Sequence, residues 1–173
     1  MTELEEEIVK KAVDLLYKYM IRERTGDPWL DHGMGYVMFA MKEKHLFRAV
    51  NDDNHIVYFK KYGELIWNTL TSSLSDYPAF QGLSGEHIYK IQVTRWLFTH
   101  GLAFQANNPP PGTWDTQTIS SVIQEGSLAI LDGLKSQIKS SEQKQAQYFK
   151  NASCDRTVSP MFNFVHAAVG PKE

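Results

Sequence analysis

The 173-residue sequence is short of several things, and each shortage excludes something. It has one cysteine, Cys154, so no internal disulfide can form, and the chain suits a reducing compartment such as the cytoplasm. No apolar run approaches the roughly 20 residues of a membrane-spanning helix. The N-terminus carries Glu3, Glu5, Glu6 and Glu7, opposite in sign to the basic start of a signal peptide. These features exclude a membrane partner. There is no excess of positive charge either. With 18 Lys plus Arg against 20 Asp plus Glu, the formal charge is -2, which argues against a dedicated nucleic-acid binder. A Gly-rich phosphate loop, a G-x-S-x-G turn and paired catalytic carboxylates are all missing, so the expectation is a non-catalytic protein with no cofactor. Asp52, Asp53 and His55 lie close in sequence, as do Asp31 with His32 and Glu86 with His87. None has the two-His helical spacing or Cys/His pair of a zinc site, and they read as solvated turns or helix caps. Cys154 lies in a polar segment with no base nearby in sequence, which is a poor setting for a nucleophile.

What the sequence does have is helical periodicity. Apolar residues recur at three- and four-residue steps, with no sustained period-two alternation. The length suits one domain, large enough to hold a core without staples. The first segment, about residues 3 to 24, places Leu4, Ile8, Ala12, Leu15, Leu16 and Tyr19 on one stripe. Asp27 then Pro28 read as an N-cap with proline in the first helical turn, opening a second helix to about Lys44. That helix is apolar around most of its circumference, as a central helix would be. Further helices are expected at about 45–50, 55–74 and 84–107, stopped by Asn107-Asn108-Pro109-Pro110-Pro111-Gly112. The last long helix runs from about 116 to 139, with a further polar helix over 140–152 and a loose tail beyond. The predicted fold is an all-α multi-helix bundle, divided into a helical domain over 1–139 and a polar extension over 140–173.

Three strings within this pattern resemble one family. Trp96-Leu97-Phe98-Thr99-His100-Gly101-Leu102-Ala103 is similar to the W-x-x-x-H-G-L-A segment in the regulatory domain of TetR-family transcriptional regulators. Tyr36 to Arg48 resembles that family's Y-x-x-F-A-x-x-x-x-x-L-F-R, and Ile119 to Lys135 its closing helix with L-x-G-L. The order and spacing of the three carry the resemblance, which covers about residues 1 to 139. The family's DNA-reading pattern, I-A-x-x-A-G-x-S-x-x-x-[LIF]-Y-x-[YH]-F, has no counterpart here. The resemblance therefore implies the C-terminal ligand-binding and dimerisation domain of such a regulator, with residues 1–24 as the connecting helix. Operator DNA would be reached only through an N-terminal helix-turn-helix unit absent from this chain. It also implies a homodimer and an unidentified small-molecule effector as partners.

The aromatic inventory is high, with 4 Trp, 8 Tyr and 9 Phe. Tyr36, Phe39, Phe59, Tyr62, Trp67, Trp96, His100 and Phe104 fall on helices and are the candidate ligand-binding residues, since pockets between bundle helices are mostly apolar with a few polar anchors. Ordinary core packing is the commoner role for each. Trp96 and His100, four apart, share a helix face; His100 reads either as a ligand anchor or as a hydrogen-bonded core histidine. Gly126 and Gly133 lie seven apart on the last helix, flanked by Ile119, Ile123, Ile130 and Leu134. Interior glycines usually have a packing reason, either within the chain or, as the resemblance implies, at a dimer interface. Two other readings stay open: a stand-alone heterodimerisation module, and a small all-α enzyme with an aromatic pocket.

Overall fold

The computed structural model describes residues 3–74, 76–108 and 114–154, and the protein is an all-α multi-helix bundle with no strand among them. Six helices follow in order: α1 (Glu3–Met20), α2 (Pro28–Lys42), α3 (Lys44–Val50), α4 (Ile56–Ser72), α5 (Gly85–Asn107) and α6 (Thr116–Cys154). Single 3-10 turns at Asp53–His55 and Pro78–Phe80 precede α4 and α5. The chain divides into two units, Met1–Leu134 and Lys135–Glu173. The first holds α1 to α5 and α6 as far as Leu134. In the second, the described residues are helical to Cys154, and side chains 139–147 are exposed. The expected tail, from 155 on, lies outside the described residues, as do Pro109 to Thr113 of the expected helix stop.

Local chemistry sets the boundaries. The Asp27 carboxylate accepts from the Trp29 and Leu30 amides and from the Tyr77 hydroxyl, capping α2. Asp31, one turn on, accepts from the Arg24 and Thr25 amides and the Thr25 hydroxyl. The Arg24 guanidinium donates to the Tyr19 and Arg22 carbonyls. Residues 21–27 are thereby held as an irregular connection, and α1 ends at Met20 rather than near 24. The last two segments form one helix instead of two, because nothing between Leu134 and Cys154 breaks it: the stretch has neither proline nor glycine.

α2 is the central helix and packs against α5 and α1. Ten of its residues are buried, with Val37, Phe39 and Ala40 fully enclosed. The main core joins Val9, Val13 and Leu16 of α1 to Phe47 of α3, Ala103 of α5, and Ile119 and Ile123 of α6. Each fully buried large apolar side chain contributes about 1.5–3 kcal/mol. A second cluster gathers Trp29, Leu74, Phe80, Ile91 and Leu131. The α1 stripe differs from the sequence reading: Val9 and Val13 are buried, while Leu4 is 69% and Ile8 39% exposed. Both valines lie on the line Val9-Val13-Leu16, about a third of a turn from the line through Leu4 and Ile8, and the valine line enters the main core.

Two contacts fix how the helices meet. At Gly35 a Cβ would strike the Tyr19 carbonyl oxygen and come within 2.6 Å of Met20 Cα, so glycine permits the close approach of α1 and α2. Asn107, 4% exposed at the end of α5, donates to the Ala40 and Lys44 carbonyls and accepts from Arg48 Nε. One amide thus bridges the end of α5 to carbonyls on both sides of the α2–α3 junction.

Candidate ligand-binding site

α4 lies beside α1 and leaves a cavity of about 540 Å³ between α1, α4 and α5. Its wall is built at helical spacing from Val13, Leu16 and Met20 of α1, Phe59, Ile66, Trp67 and Leu70 of α4, and Tyr89, Val93 and Trp96 of α5. Exposed Lys60 and Glu64 complete the lining. Gly63 helps keep the space open, since a Cβ there would meet only the Phe59 ring, at an ordinary 3.5 Å. A second, inner cavity of about 40 Å³ shares Met20, Trp67, Leu70 and Trp96 with the first. Trp67 and Trp96 stand edge to face in the shared wall, 6.4 Å between centroids.

The inner cavity gathers more polar residues, although most of its exposed wall is still apolar. It is lined by His32, Tyr36, Thr71, Gln92, Arg95 and Thr99 as well as apolar groups. Arg95 is 8% exposed and donates from Nη2 to the Trp29 carbonyl and from Nε to Ser127 Oγ at 3.4 Å. Its guanidinium carbon sits 5.0 Å from the Trp29 ring centroid and closes over Gly33, where a Cβ would come within 3.1 Å of that carbon. Burial pulls the guanidinium down to about 10, against the favourable field of Asp27 and Tyr77. Asp31 and His32, expected as a solvated cap, are buried at 3% and 6% exposure, because the 21–27 connection folds over them. Burial, reinforced by the Arg95 charge, pushes His32 down to about 4, so it is neutral at physiological pH.

The candidate residues separate. Phe59, Trp67 and Trp96 line the outer cavity; Tyr36, Trp67 and Trp96 line the inner one. Phe39 is fully buried in the main core and lines neither. Tyr62 turns its hydroxyl to Glu6 Oε1 at 2.7 Å. His100 stacks on Trp96 (5.0 Å, 22°) and meets Phe104 edge to face, and Tyr36 donates to its Nδ1 at 2.7 Å. Burial raises the Tyr36 hydroxyl and lowers His100, which keeps the first a donor and the second a neutral acceptor. His100 is therefore a hydrogen-bonded packing residue beside the cavities, and Phe104, 51% exposed, faces outward. Sequence reading missed Arg95, Gln92, Met20 and Gly63. The available signal for Arg95 was a lone cation in the buried stripe Ile91-Arg95-Thr99-Leu102.

The proposed interface residues also separate. Ile119 and Ile123 are buried in their own chain's core, so a partner subunit cannot touch them there. Gly126 accommodates the Phe98 ring of α5, where a Cβ would come within 2.6 Å of Cε1, so its packing reason is internal. Leu134 packs on the second core cluster and Ile130 is half-buried. Gly133 is exposed, with open space where a side chain would be. Exposed apolar groups lie elsewhere, at Leu97 and Phe104 on α5 and Leu128 on α6. No described helix is long and apolar enough to cross a membrane. The chain matches no protein-family model, no curated protein and no solved structure.

Proposed function

We propose that this chain is the effector-sensing and dimerising domain of a TetR-like transcriptional regulator, holding a small apolar molecule between α1, α4 and α5. The outer cavity carries the reading. The cavity opens to the surface, and about 540 Å³ lined mostly by apolar side chains falls in the range of pockets for small organic ligands. An occupant contacts Val13, Leu16 and Met20, and so acts on α1, the helix that the resemblance makes the connection to a DNA-reading unit. A ligand favouring one placement of α1 shifts the population toward it; a ligand indifferent to that placement shifts nothing. Self-association would use the outward faces of α5 and α6, where Leu97, Gly101 and Phe104 share one side of α5.

The test is titration with 1-aminoanthracene, a neutral fluorescent probe of apolar cavities, on the full chain and on Gly63→Leu. The added side chain occupies part of the cavity beside Phe59 while removing an interior glycine, so probe affinity falls without loss of stability. Bound probe slows amide exchange across residues 9–20 of α1. Probe binding unaffected by Gly63→Leu, or saturation with no change in α1 exchange, would overturn the proposal.

A further inference from the structure

Arg95 raises a question that packing does not answer. Buried cations are normally paired with carboxylates, because desolvation is otherwise uncompensated. Neither ion pair among the described residues involves Arg95. The two nearby carboxylates are occupied: Asp27 caps α2 and accepts from Tyr77, and Asp31 holds the 24–25 amides. Arg95 lines the inner cavity with two other polar side chains that are at least nine-tenths buried, Gln92 and His32. Neither has a side-chain hydrogen bond to any described residue. The single sealed side-chain polar atom without a partner among the described residues is Trp29 Nε1, so the Gln92 amide and the His32 ring keep some access to open space; each lines the inner cavity and also one neighbouring surface pocket. The remaining polar groups there are committed: Thr71 and Thr99 donate to backbone carbonyls and Tyr36 to His100.

We propose that the inner cavity is a carboxylate site, with Arg95, Gln92 and His32 as donors, so that the domain's ligand is an amphipathic organic acid whose apolar body fills the outer cavity. The inference rests on the outer cavity being the effector pocket. Size and charge select the head group. A cavity of about 40 Å³ admits about three water-sized groups, which matches the carbon and two oxygens of a carboxylate and is small for a tetrahedral phosphate. One guanidinium answers one negative charge, and its planar fork suits a carboxylate. The neutral His32 ring donates an N–H without adding charge. The two cavities share Met20, Trp67, Leu70 and Trp96, which places a head group beside Arg95 and a hydrocarbon body on adjoining sides of one wall.

The experiment compares decanoate, decanol and decylammonium on the full chain by calorimetry and tryptophan fluorescence. Hydrogen bonds to a charged group correspond to about 10- to 100-fold in affinity, so decanoate binds at least tenfold tighter than decanol, and decylammonium more weakly than either. Arg95→Met reduces decanoate to the decanol level and leaves decanol unchanged. Gln92→Leu, which leaves the guanidinium in place, removes part of the preference and serves if Arg95→Met does not fold. Lys90→Gln, at an exposed α5 cation that lines neither cavity, preserves it. Equal binding of decanoate and decanol would overturn the carboxylate site while leaving the apolar pocket standing. Failure of all three probes would overturn both. A decanoate preference that survives Arg95→Met, or is lost with Lys90→Gln, would place the anion elsewhere and overturn the assignment.

Discussion

Replacing Gly35 by alanine tests the central claim about how α1 and α2 cross. A methyl group there meets backbone, not a side chain: it strikes the Tyr19 carbonyl oxygen and lies 2.6 Å from Met20 Cα. Carbon atoms pack best at roughly 3.5–4.0 Å, so the crossing must open by roughly 1 Å. Neither contact can rotate away, and the Tyr19 carbonyl is further held by Arg24 Nη2 at 2.8 Å. Overpacking costs about 1–3 kcal/mol, and a backbone clash belongs at the upper end. Alanine recovers about 1 kcal/mol of helix propensity, which leaves Gly35→Ala less stable by about 2 kcal/mol. For a chain of this size that lowers Tm by roughly 4–8 °C. Urea unfolding followed by far-UV circular dichroism gives the number. Gly133→Ala is the control, since no atom lies within 4 Å of its Cβ position. It should gain about 0.5–1 kcal/mol. A Gly35→Ala protein as stable as the unmodified chain, or two substitutions with the same sign, would refute the close-approach argument.

Other expected outcomes follow from the same contacts. His32 is depressed from 6.5 to about 4, so its contribution is fully present above pH 6.5 and is lost as pH falls toward 4. The span amounts to about 3 kcal/mol, and denaturant unfolding of His32→Gln across that pH range should lack this component of the slope. Asn107→Leu removes the bonds to the Ala40 and Lys44 carbonyls and should destabilise by about 2–3 kcal/mol in the same assay, whereas Asn108→Leu, at an exposed position, should cost far less. Tyr36→Phe removes the donor to His100 and should cost about 1–2 kcal/mol; an unchanged His100 proton resonance in NMR would count against that bond. Leu97→Glu places a charge on the exposed α5 face, so sedimentation should show a dimer weakened without loss of helix, and a wild-type monomer at micromolar concentration would remove the dimer proposal.

Much of the fold is legible in periodicity and caps. Asp27-Pro28, Ser84 and Asp115 each mark a helix start, and the Ser84 and Asp115 side chains accept amide hydrogen bonds in the first turn just as Asp27 does. The α1 stripe was harder, because its apolar arc is wider than the face it buries. Periodicity puts Leu4 and Ile8 on the stripe and leaves Val9 and Val13 off it, and only the packing of the other helices shows that the valines are the buried pair. The site was legible in part for a similar reason. Aromatic residues mark both core and cavity, and nothing local distinguishes Phe39, which is enclosed, from Phe59, which lines open space. Gly126 shows the limit from the other side: a helical glycine announces a close neighbour, but the neighbour is Phe98 of the same chain.

The placement of the cavity follows from an unequal division of the core. α2 buries ten residues and is gripped by α1, α3 and α5, so it cannot yield to an occupant without disturbing the main core. Among the described side chains of α4, by contrast, Leu70 alone is buried. Its tie to the start of α1 runs through Glu6, which accepts from Lys61 Nζ and the Tyr62 hydroxyl, both at 2.7 Å. Lys61 is exposed, and such surface pairs hold a helix weakly. Compliance therefore belongs to α4, with few buried apolar contacts, and rigidity to α2. An occupant of the proposed pocket between α1, α4 and α5 would work against α4 and the end of α1, where Met20 lines both cavities, while Arg95 is held by Trp29, Gly33 and Ser127 on the α2 side. For the proposed sensor, a fixed polar end and a yielding apolar wall would keep head-group recognition constant while the volume of the body is converted into displacement of α1.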